Sequence, residues 1–248
     1  MSRERPSIFA AAATGYRDAG RALRAMPVLA LTAFGILVVV ATLNVLVERT
    51  IPAESLFGRD IMSIVGSFFL TPFYIAVHRH VILGEVTSRY RLDPLSVRFQ
   101  LFFGWLVVVV VLSRISDALA QAPLPRHVLV YVLVVVLWVA VAVLITRMVI
   151  LFPAIAVAAP GATWHNSVAD TKGHFWYITF LILATMMPAI IVAAAVAVLP
   201  FLLLPPVVVR PLIFFIAFVA GALMVMVLVT VASRLYQLLG NRVNPPPV

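Results

Sequence analysis

Cysteine is absent from the 248 residues, which excludes disulfides, thiolate metal sites and thiol nucleophiles and leaves the redox compartment unreadable. Charge is scarce as well, at 11% of the chain, where soluble domains carry about 25%. Acidic groups number nine and lysine occurs once, as Lys172, beside 17 arginines, a preference that fits a GC-rich bacterial gene. No Gly-rich phosphate loop, Gly-x-Ser-x-Gly elbow or pair of intramembrane aspartates occurs. A serine hydrolase needs an oriented base beside its nucleophile, and no such set can be nominated. Neither an enzymatic activity nor a cofactor is therefore expected.

What is present is apolar: 64% of the residues are hydrophobic and the mean hydropathy is +1.13. A water-soluble globule of this length has no interior large enough to hide that much surface. The expectation is an all-α integral membrane protein. A helix needs about 20 apolar residues to cross roughly 30 Å of hydrocarbon. Six stretches qualify: Pro27–Val47, Ile61 to about Ile82, Phe99 to about Leu119, Val128–Ile150, Tyr177 to about Leu199, and Pro211–Ala232. They are expected to form one domain of three hairpins, over residues 27–84, 85–153 and 154–240, between an interfacial helix at 1–26 and a Pro-rich tail at 241–248. The run Ile8–Ala13 is too short for the apolar region of a signal peptide, so none is expected to be cleaved.

The formal charge of +9 points to membrane headgroups, because no basic domain exists outside the spans to meet nucleic acid. With the N-terminus inside, arginines and Lys172 concentrate in the inner segments: Arg3, Arg5, Arg17, Arg21 and Arg24, then Arg79, Arg89, Arg91 and Arg98, then Arg147 and Lys172, then Arg234 and Arg242. Fewer basic residues lie outside, and acidic residues split almost evenly, as expected of a rule that counts only Lys and Arg. Both termini are expected in the cytoplasm, with the chain in a bacterial inner membrane.

Each hairpin is expected to follow a helix lying on the cytoplasmic face. Residues 7–26 form an amphipathic helix capped by Ser7, with Phe9, Ala12, Tyr16, Ala19, Leu23 and Met26 on the apolar face and Thr14, Arg17, Asp18, Arg21 and Arg24 on the other. Asp93–Pro94 supplies an N-cap and first-turn proline for a second such helix. Trp164–Gly173 supplies a third after the Pro160–Gly161 break, with Trp164 and Trp176 as interfacial anchors. Spans two, four and six each end in an arginine (Arg79, Arg147, Arg234) followed by apolar residues, which is either a threefold repeat or the convergent habit of an inward-ending helix.

Within the spans, Ser63, Gly66, Ser67 and Thr71, then Ala189, Ala193 and Ala197, then Ala217 and Gly221, mark expected helix contacts. Pro72 and Pro188 are expected to kink their spans, with Thr71 and Thr185 satisfying the freed carbonyls. Arg114 and Asp117 stand three apart near the outer boundary as a structural ion pair, and Asn44 is expected to bond across helices. His78 and His80 are two apart and point in different directions on a helix; His165 and His174 are nine apart. Neither matches helical metal-ligand spacing, so no metal is expected. His78, Arg79, His80, Glu85, Arg147, Lys172 and Arg234 are instead candidate contacts for phosphate headgroups or an acidic partner.

The segments His78-Arg79-His80-Val81-Ile82-Leu83-Gly84-Glu85, Arg147 with Leu151-Phe152-Pro153-Ala154-Ile155-Ala156-Val157, and Ser167 with Thr171-Lys172-Gly173-His174-Phe175-Trp176 are similar to segments of bacterial six-span proteins. Across essentially the whole chain this resembles the glycerophosphoryl diester phosphodiesterase membrane-domain family. The resemblance implies a membrane module without the soluble catalytic barrel of that family's fusions, and it transfers no catalytic residue. Two functions are expected to compete: a non-enzymatic module binding anionic lipid, a membrane partner or another copy of itself, and a transporter whose path is lined by Ser63, Ser67, Thr71, Thr179 and Thr185.

Overall fold

The computed structural model describes residues 5–50, 56–121, 128–203 and 206–244, without side chains at 48–50, 56–60, 115–121, 193, 196–203 and 206–214. Among the described residues there are helices and no strand: α1 (Ile8–Ala25), α2 (Pro27–Thr50), α3 (Leu56–Leu83), α4 (Val97–Gln121), α5 (Val128–Met148), α6 (Leu151–Ala156), α7 (Trp164–Asp170), α8 (Phe175–Leu203) and α9 (Pro206–Leu239). Six apolar stretches, in α2, α3, α4, α5 running on into α6, α8 and α9, are long enough to cross a membrane. The molecule is an all-α, multi-pass membrane protein. Consecutive spans pack on one another, α2 on α3, α4 on α5 and α8 on α9, and α3 joins the first hairpin to α9.

Local chemistry sets the boundaries. Ser7 caps α1, its Oγ accepting the Ala10 N–H at 3.3 Å and its carbonyl the Ala11 N–H at 2.9 Å. Pro27 disfavours helical geometry at the residue before it, so Met26 leaves the helix at φ −129° while its N–H still reaches the Ala22 carbonyl. The chain thus changes direction there and starts a span with proline in the first turn. Ahead of α4 the structure departs from expectation. Residues 94–96 form a turn, and Ser96 caps a helix that begins at Val97, its Oγ accepting the Phe99 N–H at 3.4 Å. No separate helix precedes this span, because Asp93 caps nothing: its carbonyl holds the Ser96 N–H and hydroxyl in the turn.

The expected continuation of the fourth span is instead broken at residues 149–150. The short α6 turns inward against α3, α4 and α9, and Leu151, Pro153, Ala154, Ile155 and Ala156 are all buried. It ends in a Schellman-type cap, with the Ala159 N–H on the Ala154 carbonyl at 2.9 Å and the Ala158 N–H on Ile155 at 3.0 Å. The left-handed position of that cap is Ala158, at φ 55°, where a Cβ is strained and glycine is not. Because Ala158 is exposed, Ala158→Gly is expected to stabilise the protein by about 0.5–1 kcal/mol, read as a raised midpoint of thermal unfolding in detergent.

Packing is uneven along the bundle. Among the described residues the buried core comes from the start of α2 (Leu29, Ala33), the second half of α3 (Leu70–Val77), the start of α4 (Phe99, Phe102), α6, the start of α8 (Ile178, Leu181) and the last third of α9 (Met226–Leu239). These segments all lie at one end, which also carries α1, α7 and most of the basic side chains and is called the basic end below. In α5, by contrast, Leu129, Tyr131, Leu133 and Trp138 are exposed. Lipid tails are as apolar as leucine, so a spanning helix gains little by hiding large apolar side chains from them.

The same rule corrects the face of α1. Its buried residues are Ala12, Gly15, Asp18, Ala19 and Ala22, while Phe9 is 81% exposed. The small residues let α1 lie close on α8 and α9: the Thr230 hydroxyl donates to the Gly15 carbonyl at 2.8 Å and the Tyr16 hydroxyl to the Thr185 carbonyl at 2.6 Å. Other small residues divide. A Cβ on Gly66 would sit 3.1 Å from Val40 of α2, a true close approach. Gly221 meets nothing and lines an apolar crevice with Ala217, while Ala193 and Ala197 lie outside the described side chains. Thr71 and Thr185 bond the Ser67 and Leu181 carbonyls four residues before them, rather than the Phe68 and Ala184 carbonyls that the prolines leave free.

Candidate functional site

The arginines near the ends of α3, α5 and α9 each hold one element of the basic end. Arg79 of α3 clasps Glu85 with two hydrogen bonds, Nε to Oε2 at 2.7 Å and a terminal nitrogen to Oε1 at 2.6 Å, and its third nitrogen donates to the Ala156 carbonyl at 3.2 Å. Arg147 of α5 donates to the Thr171 carbonyl at 2.5 Å and lies 6.0 Å from the centre of the Phe175 ring. Arg234 of α9 donates to Asp18 of α1 at 2.6 Å and to Gln237 at 3.0 Å. Two of the three thus place a cation at the carbonyl end of a short helix, α6 or α7, where the helix dipole favours it. All three guanidinium groups have internal partners, so their first role is to staple the basic end together.

The remaining sequence candidates separate. His78 is buried, and its Nδ1 shares a 2.8 Å hydrogen bond with Ser233 of α9 beneath the Phe102 ring. That position is out of reach of a headgroup. His80 points the other way and donates to the Glu85 carbonyl at 3.0 Å. Lys172 is exposed. Arg114 donates to Ser63 of α3 at 3.3 Å; its expected partner Asp117 lies outside the described side chains. Asn44 makes no cross-helix bond through its Oδ1, which is buried without a partner. Among the described residues no three His, Asp or Glu side chains gather around a point where a metal ion would sit.

Two functional residues were missed in the sequence. Asp18 was assigned to the polar face of α1, yet its side chain is only 5% exposed and pairs with Arg234, with Arg21 a weaker second partner at 3.5 Å. Asp170 ends α7 and accepts the backbone N–H groups of Arg242 at 2.8 Å and Val243 at 3.0 Å. The Gly161 N–H adds a bond to the Val243 carbonyl at 3.2 Å. A Cβ on Gly161 would collide with the Arg242 carbonyl oxygen, so glycine there is what lets the last turn of the chain dock. The only signal in the sequence was Asp18 falling in register with Ala12, Gly15 and Ala22, a stripe of small residues.

Among the cavities at the basic end, two are lined by several charged side chains. The larger, of about 740 Å³, is a polar depression lined by Arg5, Asp170, His174, Tyr236, Asn241 and Asn244 among others. The smaller, of about 230 Å³, is a crevice between α2, α3, the 84–96 segment and α4, which brings Arg79, Arg89, Arg91 and Arg98 to one opening with Asp93. At the rim of the depression His174 has a buried Nδ1 without a partner. Partial burial lowers its pKa below the usual 6.5, and Arg5 and Arg147 push it the same way. The folded state therefore disfavours a proton that the unfolded chain accepts. This contribution to stability is complete above about pH 6.5 and is lost as the pH falls below it. His174→Gln is expected to flatten the decline of the melting midpoint between about pH 7.5 and 5; an unchanged slope would leave the decline to other groups.

Comparison of the chain with protein-family models, with curated proteins and with solved structures gives no match. Fold and site together define a class: a multi-pass, all-helical membrane protein whose basic end is locked by internal arginine contacts.

Proposed function

We propose that the protein is a non-enzymatic module of a bacterial inner membrane, with its basic end in the cytoplasm, and that it binds anionic lipid headgroups there. In this reading it is a stand-alone relative of the glycerophosphoryl diester phosphodiesterase membrane-domain family. One observation carries the proposal. The cations not consumed by ion pairs among the described residues, including Arg17, Arg24, Arg89, Arg91 and Lys172, are exposed at the same end as exposed Phe9, Trp164 and Trp176. Amphipathic aromatic rings and basic side chains at one level are what the interfacial zone of a bilayer selects.

A solute path has less support. The hydroxyls of Thr71 and Thr185 are turned onto their own helices, and Ser63 accepts from Arg114. The test is the lipid that stays with the protein. After purification in mild detergent, mass spectrometry is expected to find phosphatidylglycerol or cardiolipin retained above its share of the membrane. Retention in proportion to bulk composition would refute the proposal, and solute uptake into proteoliposomes above empty vesicles would favour transport.

A further inference from the structure

The segment between α3 and α4 is folded in a way the sequence did not announce. Gly84, at φ 72°, ends α3 and returns its N–H to the His80 carbonyl at 3.0 Å. The chain then runs back along α3 instead of away from it. The Tyr90 hydroxyl donates to the carbonyl of Phe69, at the middle of α3, at 2.8 Å. The start of α4 is set at the same level, since the rings of Phe99 and Phe103 lie 5.1 and 5.2 Å from that of Phe68. Arg89, Arg91 and Arg98 are thereby carried to the place where α2 and α4, beginning at Pro27 and Val97, enter their apolar stretches.

The crevice there has two kinds of wall. Leu29, Pro72, Ile75 and Phe99 make an apolar side, and the guanidinium groups of Arg89, Arg91 and Arg98 a cationic one. Arg79 also lines it but is neutralised by Glu85. Asp93 is the carboxylate at the opening, so positive charge is in excess. Arg89 and Arg91 form no ion pair among the described residues, and the Arg98 Nε is buried with no hydrogen-bond partner. Close in the chain to the lining residues Leu29, Ser96 and Arg98, the apolar side chains of Val28, Leu31, Leu95 and Val97 are exposed. A soluble anion would leave those side chains in water, whereas a phospholipid covers them with acyl chains while its phosphate meets the guanidiniums.

We propose that the crevice between α2, α3, the 84–96 segment and α4 is a headgroup site for one anionic phospholipid, held by Arg89, Arg91 and Arg98. This refines the reading given under Proposed function and rests on it. The full chain in phosphatidylcholine nanodiscs is titrated with phosphatidylglycerol, and bound lipid is counted by native mass spectrometry. Arg89→Gln/Arg91→Gln/Arg98→Gln is expected to weaken the tightest binding event by about a hundredfold, the loss of three interfacial cations. Arg49→Gln/Arg59→Gln/Arg126→Gln, the same loss of charge in segments assigned to the outer face, is expected to change it less than about threefold. Should the crevice variant misfold, a phosphatidylglycerol analogue with a photoreactive headgroup is expected to crosslink the wild-type chain within residues 84–98.

If wild-type and crevice variant bind phosphatidylglycerol equally, or the crosslinks fall elsewhere, the site is refuted while lipid binding by the protein stands. If wild-type protein shows no preference over phosphatidylcholine, both readings fail. Glycerol 3-phosphate and inorganic phosphate serve as soluble competitors. Failure of either to displace the lipid at millimolar concentration supports a membrane ligand, and complete displacement would overturn the lipid assignment in favour of a free phosphate site.

Discussion

Arg234→Ala is expected to cost about 3 kcal/mol, the range for breaking a buried ion pair from one side. The variant strands the Asp18 carboxylate, 5% exposed, with Arg21 as its remaining partner at 3.5 Å and Arg21 itself 71% exposed. Asp18→Ala is expected to cost less, because Arg234 is 40% exposed and keeps Gln237 at 3.0 Å. Removing both should restore most of the loss, since two absent charges need no compensation. Unfolding midpoints of the three variants in detergent give the coupling directly. Additive losses would show that α1 and α9 are not held by this pair.

The second large effect concerns the same junction through packing. A Cβ on Gly15 would collide with Cγ2 of Val231 and come within 3.6 Å of Val227 Cγ1. A valine in a helix has essentially one rotamer available and cannot swing aside. Gly15→Leu is therefore expected to cost about 3 kcal/mol, at the upper end for overpacking, and to release α1, seen as protease cleavage within residues 1–26. Gly15→Ala brings the same colliding Cβ and is expected to destabilise as well, by less than Gly15→Leu because it adds no bulk beyond that atom. Adding Val231→Ala to Gly15→Leu should restore docking; continued release would place the fault in the helix itself.

The spans were legible because their signal is additive: each apolar residue contributes, and about twenty of them have no other soluble explanation. The arginines at positions 79, 147 and 234 were legible as a set, but not what they bind. Arg79 has Glu85 only six residues on, but its contact with α6 and the partners of Arg147 and Arg234 are 77, 24 and 216 residues away in the chain, and no local periodicity reports a contact at those distances. The buried face of α1 was read correctly at Ala12, Ala19 and Met26 and wrongly at Phe9, Tyr16 and Asp18, for a physical reason. In water a helix hides Phe9 and exposes Asp18; against other helices in lipid it hides glycine and alanine, and a carboxylate follows them inward when an arginine meets it. The inward turn of α6 was hidden because Leu151–Ala156 is as apolar as the span before it, so nothing in composition marks a separate short helix after Ile150. The returning path of residues 84–96 depends on Gly84 and on one tyrosine hydrogen bond, neither of which has a pattern in sequence.

Cohesion among the described side chains resides at the basic end; an apolar crevice of about 270 Å³ between α2, α3 and α9 borders it, and one of about 340 Å³ between α2 and α9 lies farther along. The described contacts are thus gathered at one place, like stems at a tie. A change in membrane thickness is expected to spare the arginine contacts, because they sit at that one end of the bundle. Acyl-chain length should accordingly leave the basic surface in the same shape, whichever lipid surrounds the helices.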